Sequence, residues 1–274
     1  MSDIHLRSAR VLPLFTLLSS ASAFSQVFLS ADGQTDTYRL IGSVLGGNPI
    51  DSPDCSHPEF GPHIVQQWDE CLGEYVFVFY IHLTPDNDRC VAFDRQRNEI
   101  KTYGASPDYL KGFLGETVTL RWRFKLAEGF QPSRNFSHLH QIKAGDGDAA
   151  APIITLTARA GTPERIQLIH IDSGGTSQTL GVVDLALFKG NWVEVYEKLT
   201  YDFTGSYLIQ ITSVGDGTPL FFYYSNNVDL WRRGTTFVRP KWGIYRSLLD
   251  SPALRDEAVL FDSFCLAKGS DDCP

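Results

Sequence analysis

The sequence predicts an all-β protein, a β-jelly roll or sandwich of two antiparallel sheets, with a closed barrel as the alternative. Many short runs alternate apolar and polar residues, and turn residues such as "SGG", "GDGT" and "SNN" separate them. No long amphipathic helix and no internal repeat interrupts this pattern. Many strands at such spacing are typical of a jelly roll in one domain.

The clearest strand is "ETVTLRWRFKL" (116–126), which alternates without a break. One face is apolar: Val118, Leu120, Trp122, Phe124 and Leu126. The other carries Arg121, Arg123 and Lys125, either as a solvated surface or as an extension of a binding groove. Short helices are expected at 106–114 and 251–257, whereas 24–75 is rich in Gly, Pro, Asp and Ser and indicates loops with short strands.

The first residues resemble a secretory signal peptide. Arg7 and Arg10 precede the apolar run "VLPLFTLLSSASAF", which holds the small-residue cleavage pattern Ala21-Ser22-Ala23. We therefore expect a signal peptide at 1–23, a single domain at 24–274, and a secreted monomer without a membrane partner. The apolar run is too short to span a bilayer.

Charge limits the classes of partner. Removing Arg7, Arg10 and Asp3 leaves 22 Lys and Arg against 31 Asp and Glu, so the formal net charge moves from −8 to −9. An acidic protein is a poor candidate for nonspecific nucleic-acid binding, and we expect no such partner. A local basic surface could still bind an acidic ligand.

The five cysteines of a secreted chain should partly pair. The local expectation joins Cys55 to Cys71 and Cys265 to Cys273, and leaves Cys90 free. The cysteines and histidines show no recognised zinc spacing, and "NFS" at Asn135 matches the glycosylation pattern.

Three charged segments are candidates for a functional site. In "RQRNEIK" (95–101), an extended chain places Arg95, Arg97, Glu99 and Lys101 on one face, as in a binding surface or a solvated edge strand. Arginine suits bidentate contact with a carboxylate, and Glu99 could orient its neighbours by ion pairing.

The second segment is "FSHLHQIK" (136–143). If Phe136 and Ile142 face the core, Gln141 and Lys143 face outward and both histidines lie inside, unless a bulge reverses this locally. Histidine is the commonest general base, so His140 is a candidate, although two histidines on a strand are more often structural.

The third segment is "RPKWGIYRS" (239–247). Lys241, Gly243 and Tyr245 share one face, and Trp242 and Ile244 share the other. A phenol beside a cation can give up a proton and later return it. Gly243 would leave room for a sugar ring.

In this order the segments resemble the motifs of polysaccharide lyases with a concanavalin-like β-jelly roll. Alginate lyases of family seven carry R-x-E-[LV]-R, Q-[IV]-H and Y-F-K-x-G-x-Y. Here "RNEIK" has Lys for the final Arg, "QIK" has Lys for His, and "PKWGIY" has Pro for Phe. The phrase "PKWGIYR" looks closer to glucuronan lyases and their heparin-lyase-like relatives, and the resemblance covers roughly 60 to 270.

The resemblance implies β-elimination on a uronic-acid polymer, glucuronan-like first and alginate-like second. Tyr245 would be the acid and base, and Gln141 and Arg97 would neutralise the uronate carboxylate. Lys143 stands where family seven has His, so Tyr245 alone, Lys143 or His140 could be the base. The substrate-binding residues would be Lys241, Lys143, Glu99, Lys101 and Arg95.

Two other classes of function stay open. A noncatalytic glycan-binding module would keep the cations without needing Gln141 and Tyr245 together. A jelly-roll glycoside hydrolase needs two carboxylates flanking the bond, but Glu194 and Glu197 fall on opposite strand faces. No cofactor is required; a structural calcium is possible at "GDGD" (145–148) or at "RDE" with Asp262.

Overall fold

Two antiparallel sheets packed face to face form the protein in this computed structural model, which describes residues 26–274. The predicted signal peptide lies outside the described residues. Strands are numbered along the chain. The first sheet contains β1 (Val27–Leu29), β3 (Ile64–Asp69), β4 (Glu74–Ile81), β6 (Thr117–Leu126), β11 (Trp192–Thr200), β12 (Gly205–Ser213), β13 (Pro219–Val228) and β15 (Glu257–Lys268).

The second sheet carries all three candidate segments. It contains β2 (Ile50–Asp51), β5 (Arg95–Lys101), β7 (Ser137–Ala144), β8 (Ile154–Arg159), β9 (Arg165–Ile171), β10 (Ser177–Asp184) and β14 (Val238–Ser247). Its spatial order is β10-β9-β8-β7-β14-β5-β2, so β14 lies centrally between β7 and β5. The first sheet has the order β13-β12-β11-β6-β15-β4-β3, and β1 pairs with the end of β15. The prediction of a two-sheet jelly roll is confirmed.

The core lies between the sheets and follows the predicted alternation. The apolar face of β6 is buried throughout, as are Trp242 and Ile244 of β14. Burying a large apolar side chain stabilises the fold by about 1.5–3 kcal/mol. The apolar faces of β6 and β14 therefore determine which side of each strand faces the core. The opposite face of each strand is thereby turned away from the other sheet.

Helical structure is sparse and partly unexpected. The helix α1 (Thr37–Leu45) lies in the part predicted as loops, with Asp36 accepting a hydrogen bond from the Arg39 amide at its N-terminus. Its buried residues recur every four positions: Thr37, Ile41 and Leu45. The two helices expected from sequence shorten to 3₁₀ turns at Asp108–Leu110 and Ser251–Ala253, and a third occurs at Leu185–Leu187. Among the described residues no helix is long and apolar enough to cross a membrane.

One of the two expected disulfides is confirmed. Cys265 pairs with Cys273, but Cys55 pairs with Cys90, and Cys71 is free and exposed. The nearer cysteine in sequence is the wrong partner because Cys71 lies in the turn after β3, where its amide donates to Asp69. The long loop before β5 instead brings Cys90 to Cys55.

Candidate functional site

The outer face of the second sheet gathers most of the predicted site residues. On β14, Tyr245 lies opposite Arg97 of β5, and Lys241 lies between Lys101 of β5 and Gln141 of β7. Residues directly opposite in antiparallel strands point to the same face. These side chains therefore share the outer face of the sheet, as strand alternation predicts.

Tyr245 is enclosed by two guanidinium groups. The Arg97 guanidinium lies over its ring, 3.7 Å from the centroid, and Arg95 Nη1 donates to the phenolic oxygen at 3.0 Å. Arg97 is itself fixed by Asp88 at 2.9 Å and Glu99 at 2.6 Å. Tyr245 is only 9 % exposed, with Arg95 at its oxygen and Arg97 over its ring.

A second, more buried cluster forms around Glu99. Lys241 Nζ lies 2.5 Å from Glu99 and 3.2 Å from Asp51, while the Gln141 amide donates to Glu99. Lys101 contacts the other oxygen of Asp51. Burial alone would raise the pKa of Glu99, but Lys241 and Arg97 outweigh burial and lower it to about 2. Glu99 therefore binds Lys241, Arg97 and Gln141 and holds these three side chains in place.

Gln141 and Tyr245 belong to different parts of this face. The residue opposite Gln141 is Lys241, which lies four residues from Tyr245 on β14. At about 3.3 Å per residue the separation along the strand is about 13 Å. Gln141 contacts Glu99 rather than the surroundings of the phenolic oxygen.

A bulge in β7 separates the two histidines. His138 lies opposite Thr157 and His140 opposite Leu156, so Leu139 is an extra residue on β7 relative to β8. His138 therefore points outward, with its ring 5.7 Å from that of Tyr245. Alternation resumes after the bulge, and Gln141 again faces outward.

His140 is excluded as a catalytic residue by its position. It is fully buried between the sheets, 5.2 Å from the Trp122 ring, and its Nε2 lies 2.9 Å from the buried Glu197. The Tyr207 hydroxyl donates to the other oxygen of Glu197. The histidine that sequence reasoning had passed over, His138, is the one beside Tyr245; only the bulge distinguishes them.

The electrostatic surroundings keep His138 uncharged. Burial is the largest cause, and the nearby cations Arg159, Arg97 and Lys241 add to it; together they lower the pKa of His138 to about 3 against the opposing pull of Glu99. Its Nδ1 is buried without a hydrogen-bond partner. A neutral imidazole has one donor and one acceptor nitrogen, so His138 can form a hydrogen bond with a substrate group beside Tyr245.

Three further cations on this face have no carboxylate within salt-bridge distance in the described chain: Lys143, Arg159 and Arg239. Lys143 Nζ donates to the Ala150 carbonyl at 3.0 Å, and Arg239 Nη1 to the Thr102 carbonyl at 3.2 Å. Arg159 Nε is buried and unpaired. The pKa of Lys143 is lowered to about 8 by burial and by Lys241, Arg97 and Arg239. Positive charge therefore exceeds negative charge here.

Gly243 has a different role from the one expected. Its φ is +144°, and a Cβ there would lie 2.1 Å from the Asn98 carbonyl oxygen. Close approach of the β5 backbone, not space for a sugar, therefore requires glycine at this position. The irregular pairing between Trp242 and Tyr245 is in the same stretch.

An open depression of about 460 Å³ adjoins the Tyr245 end of the face. Two of its lining residues adjoin the strands of the site: Asp94 directly precedes β5 at Arg95, and Leu248 directly follows β14 at Ser247. Phe93, also in its lining, is 71 % exposed. A chain-like ligand over Tyr245 could continue into this space.

The cations of β6 do not extend this face. Arg121 and Arg123 both contact Glu194, at 2.5 and 3.0 Å, and Lys125 lies 3.4 Å from Asp69. They belong to the first sheet, on the opposite side of the sandwich. The expectation of an extended groove there is wrong.

The residues considered for calcium do not form a ligand cluster. Asp146 accepts hydrogen bonds from Thr235 and Thr236, and Glu257 binds Arg255. Among residues 26–274 only one group of three or more metal-binding side chains comes together: His57, His63, His82 and Asp86. It contains none of the residues singled out from the sequence, where its ligands are spread over thirty positions.

Comparisons with known proteins report on the fold. No protein-family model and no curated protein matches the sequence. The structure is similar to endo-β-1,4-glucuronan lyase from the fungus Trichoderma reesei, with a TM-score of 0.54 and 14 % identity over 77 % of this chain and 88 % of that chain. It is also similar to alginate lyase A1-II', a member of polysaccharide lyase family 7, with a TM-score of 0.55 and 14 % identity over 80 % and 93 % of the two chains.

A third similar structure is alginate lyase Aly36B. That variant, with one lysine and one tyrosine replaced by alanine, is in complex with an alginate tetrasaccharide; its TM-score is 0.57, with 11 % identity over 89 % and 96 % of the chains. Identities this low carry the fold and nothing finer. The chain has the jelly-roll fold of these polysaccharide lyases.

Proposed function

We propose that the protein is a secreted polysaccharide lyase that cleaves a uronic-acid polymer by β-elimination at Tyr245. One observation carries the proposal: Tyr245 is held by Arg95 and Arg97 on a sheet face where, among the described residues, further cations have no carboxylate partner. A tyrosine held in this way can handle protons, and the remaining cations can hold a polyanion. The fold shared with glucuronan and alginate lyases agrees with this reading.

The reaction needs one proton removed and one delivered. The Tyr245 oxygen, as phenolate, takes the C5 proton of the uronate. The C5 electron pair then forms the C4–C5 double bond as the C4–O glycosidic bond breaks. The phenol returns its proton to the leaving oxygen, so atoms and charge balance. Arg95 and Arg97 stabilise the negative charge that the phenolic oxygen carries before it takes the proton and after it has returned it.

The carboxylate beside the C5 proton must be neutralised for that proton to leave. Arg97 is our candidate because its guanidinium already lies over the Tyr245 ring. The neutral imidazole of His138 lies on the same side, where it can hydrogen-bond the sugar. We assign Gln141 a supporting role: it binds Glu99, which in turn orients Arg97.

We assign Lys143 to substrate binding rather than to proton removal. It lies opposite Arg239, six residues from Tyr245 on β14, or about 20 Å along the strand. Lys143, Arg239 and Lys101 would contact uronates bound away from the bond that breaks. These cations come from three neighbouring strands, β7, β14 and β5, and so spread positive charge across the face.

For the substrate we propose a glucuronan-like polymer first and an alginate-like polymer second. Support comes from the "PKWGIYR" phrase and from the glucuronan lyase and alginate lyases among the structural neighbours. Two disulfides support an oxidising, extracellular location.

A hydrolase is not favoured, because within residues 26–274 the outer face of the second sheet presents no free pair of carboxylates. Its acids, Asp51, Asp88 and Glu99, are each bound to lysine or arginine. Glu194 lies on the outer face of the first sheet, whereas Glu197 lies on its inner face, in the core. A glycan-binding module remains the second candidate, because it would use the same cations without proton transfer.

The test is an elimination assay on glucuronan, alginate, heparin-type and pectic polymers, read as ultraviolet absorbance of the unsaturated product. We expect turnover on one polyuronate and a loss of about 10³-fold in Tyr245→Phe, in the range of acid–base contributions. Tyr196→Phe is the matched control, since Tyr196 binds Asp272 on the first sheet.

Binding measurements separate the two candidates. A lyase predicts that Tyr245→Phe keeps its affinity for the polymer that the unaltered chain cleaves. If no polymer in the panel is cleaved while one binds equally to both forms, the glycan-binding module replaces the lyase.

A further inference from the structure

We infer that His57, His63, His82 and Asp86 form a binding site for one zinc ion, independent of the proposed lyase chemistry. Each residue offers one ligand atom, and these atoms all lie within 4.8 Å of one another. Tetrahedral zinc holds nitrogen and oxygen ligands about 3.4 Å apart, so a small contraction would close the site.

The three imidazoles converge on one carboxylate. His57 Nδ1 and His63 Nε2 lie 3.1 and 3.2 Å from Asp86 Oδ1, and His82 Nδ1 lies 3.2 Å from Oδ2. Asp86 and His63 have no exposed side-chain surface, while His57 and His82 are largely covered. Four potential ligands therefore meet at one buried point.

The hydrogen bonds of His63 leave its inner nitrogen in need of a cation. Asp54 Oδ1 lies 2.8 Å from His63 Nδ1 and so fixes the proton on that nitrogen. In the neutral ring the lone pair of Nε2 then faces an Asp86 oxygen. That nitrogen is buried without a hydrogen-bond partner. Either a proton or a metal ion must lie between these two atoms.

The surroundings have the pattern of a metal site. A carboxylate that receives the distal N–H of a ligating histidine orients the ring, and Asp54 does this for His63. Glu59 lies 3.9 Å from the distal nitrogen of His57. Gln96 donates to the Asp86 main-chain carbonyl at 2.9 Å and so fixes that residue from the β5 side.

The ligand set selects zinc among common ions. Three imidazole nitrogens and one carboxylate suit Zn²⁺, whereas Ca²⁺ and Mg²⁺ require mainly oxygen ligands. With four protein ligands the coordination is complete, which is typical of a structural ion. The ion would join three segments: the loop after β2, the end of β4, and the loop that carries Asp88.

That loop links the ion to the tyrosine face. Asp88, two residues after Asp86, binds Arg97, which lies over Tyr245. The Cys55–Cys90 disulfide joins the same two loops. Loss of the ion would therefore loosen the support of Arg97 without removing any residue from the outer face.

The experiment measures metal content directly. The full chain, with Cys71→Ser to remove the exposed thiol, is produced with its disulfides and incubated with an equal mixture of Zn²⁺, Ca²⁺ and Mg²⁺. After dialysis, elemental analysis should find about one zinc per chain. Co²⁺ in its place should give the visible absorption bands of a four-coordinate ion, and chelation should lower an unfolding temperature that added Zn²⁺ restores.

Variants locate the ion. His57→Gln and His82→Gln should lose the bound zinc, and Asp54→Asn should weaken binding by about 10–100-fold. His170→Gln is the matched control, because His170 is a buried histidine that binds the Asp229 carbonyl far from the cluster. Should a ligand variant fail to fold, the metal content of the unaltered ligand set still decides the question.

A chain that retains no zinc and whose unfolding temperature does not respond to Zn²⁺ would overturn the inference. The cluster would then be a hydrogen-bonded group in which His63 carries the second proton between Asp54 and Asp86. Calcium retained in place of zinc would overturn it equally. All these readouts apply to the Tyr245→Phe chain as well, so they do not depend on the lyase proposal.

Discussion

Strands β5 and β6 look alike in sequence and have opposite surroundings. Both alternate cations with core residues, and both turn those cations away from the core. On β6, cross-strand carboxylates neutralise Arg121, Arg123 and Lys125. On β5, Arg95 and Arg97 also contact carboxylates, but they enclose a tyrosine, and neighbouring strands add cations that have no carboxylate partner among the described residues.

Alternation of side chains therefore predicts which residues of a strand point outward, but not whether that outward face binds a ligand. What separates a solvated face from a candidate site is the sum of charges that adjacent strands contribute. Strand β11 brings Glu194 to β6, whereas β7, β8 and β14 bring Lys143, Arg159 and Arg239 to the other face. Strand pairing, and not the strand itself, decides this.

The largest expected contrast is in stability. Lys241→Met removes a cation that is 2 % exposed and leaves Glu99 and Asp51 without their shared partner. We expect a loss of about 3–5 kcal/mol in the free energy of unfolding. Arg123→Met on β6 should cost at most about 1 kcal/mol, because Arg123 is partly exposed to water and Arg121 still binds Glu194.

Denaturant unfolding of both variants measures the two free energies. If both variants lost the same free energy of unfolding, the buried cluster around Glu99 would contribute no more to stability than a partly exposed ion pair. The distinction between the two faces would then fail.

A smaller contrast is expected in substrate binding. Arg159→Met should raise the KM for the cleaved polyuronate about tenfold and reduce the dependence of binding on salt, because one uncompensated cation is lost. Arg121→Met on the first sheet should leave the KM unchanged. A KM that responds to Arg121 and not to Arg159 would move polymer binding to the first sheet.

The smallest effect concerns pH. Because Lys143 has a pKa lowered to about 8, it loses its charge as pH rises through 8, while the unfolded chain keeps that proton up to about pH 10.4. Affinity for a polyanion should fall severalfold from pH 7 to 9. Over the same window the Lys143 contribution to stability becomes more favourable, because the unfolded state then binds more protons.

Lys143→Met is the comparison for this prediction, measured as the dissociation constant of an uncleaved polyuronate on the Tyr245→Phe chain. The variant should bind more weakly at pH 7 and show a flatter pH profile. The groups facing Lys143 are Lys241, Arg97, Arg239 and Glu99. A profile identical to that of unaltered Lys143 would exclude it from binding.

Alternation alone was enough to predict the fold class and the outward faces of β5, β6 and β14. Physical reasons limit it elsewhere. Which cysteine meets Cys55 depends on loop paths, and the separation of Gln141 from Tyr245 depends on the pairing of β7 with β14. The sequence does carry a signal for the helix α1: the buried residues Thr37, Ile41 and Leu45 recur every four positions, although turn-forming residues surround them.

The cluster at His57, His63, His82 and Asp86 could not be predicted from spacing, since its members come from three segments that the fold brings together. A high density of histidines before residue 83 was the only sequence signal. The resemblance to lyase motifs predicted the fold although no single residue did. The three segments keep the chain order of those motifs even where individual residues differ.

The extra residue Leu139 sets the phase of an entire strand. Because β7 has one more residue than β8 at this point, His138 before it and Gln141 after it both face outward. Strand β7 should therefore accept changes of side-chain type far better than changes of length. Deleting Leu139 would turn His138 from the outer face into the core. The strand could then no longer place one histidine beside Tyr245 and the other beside Glu197.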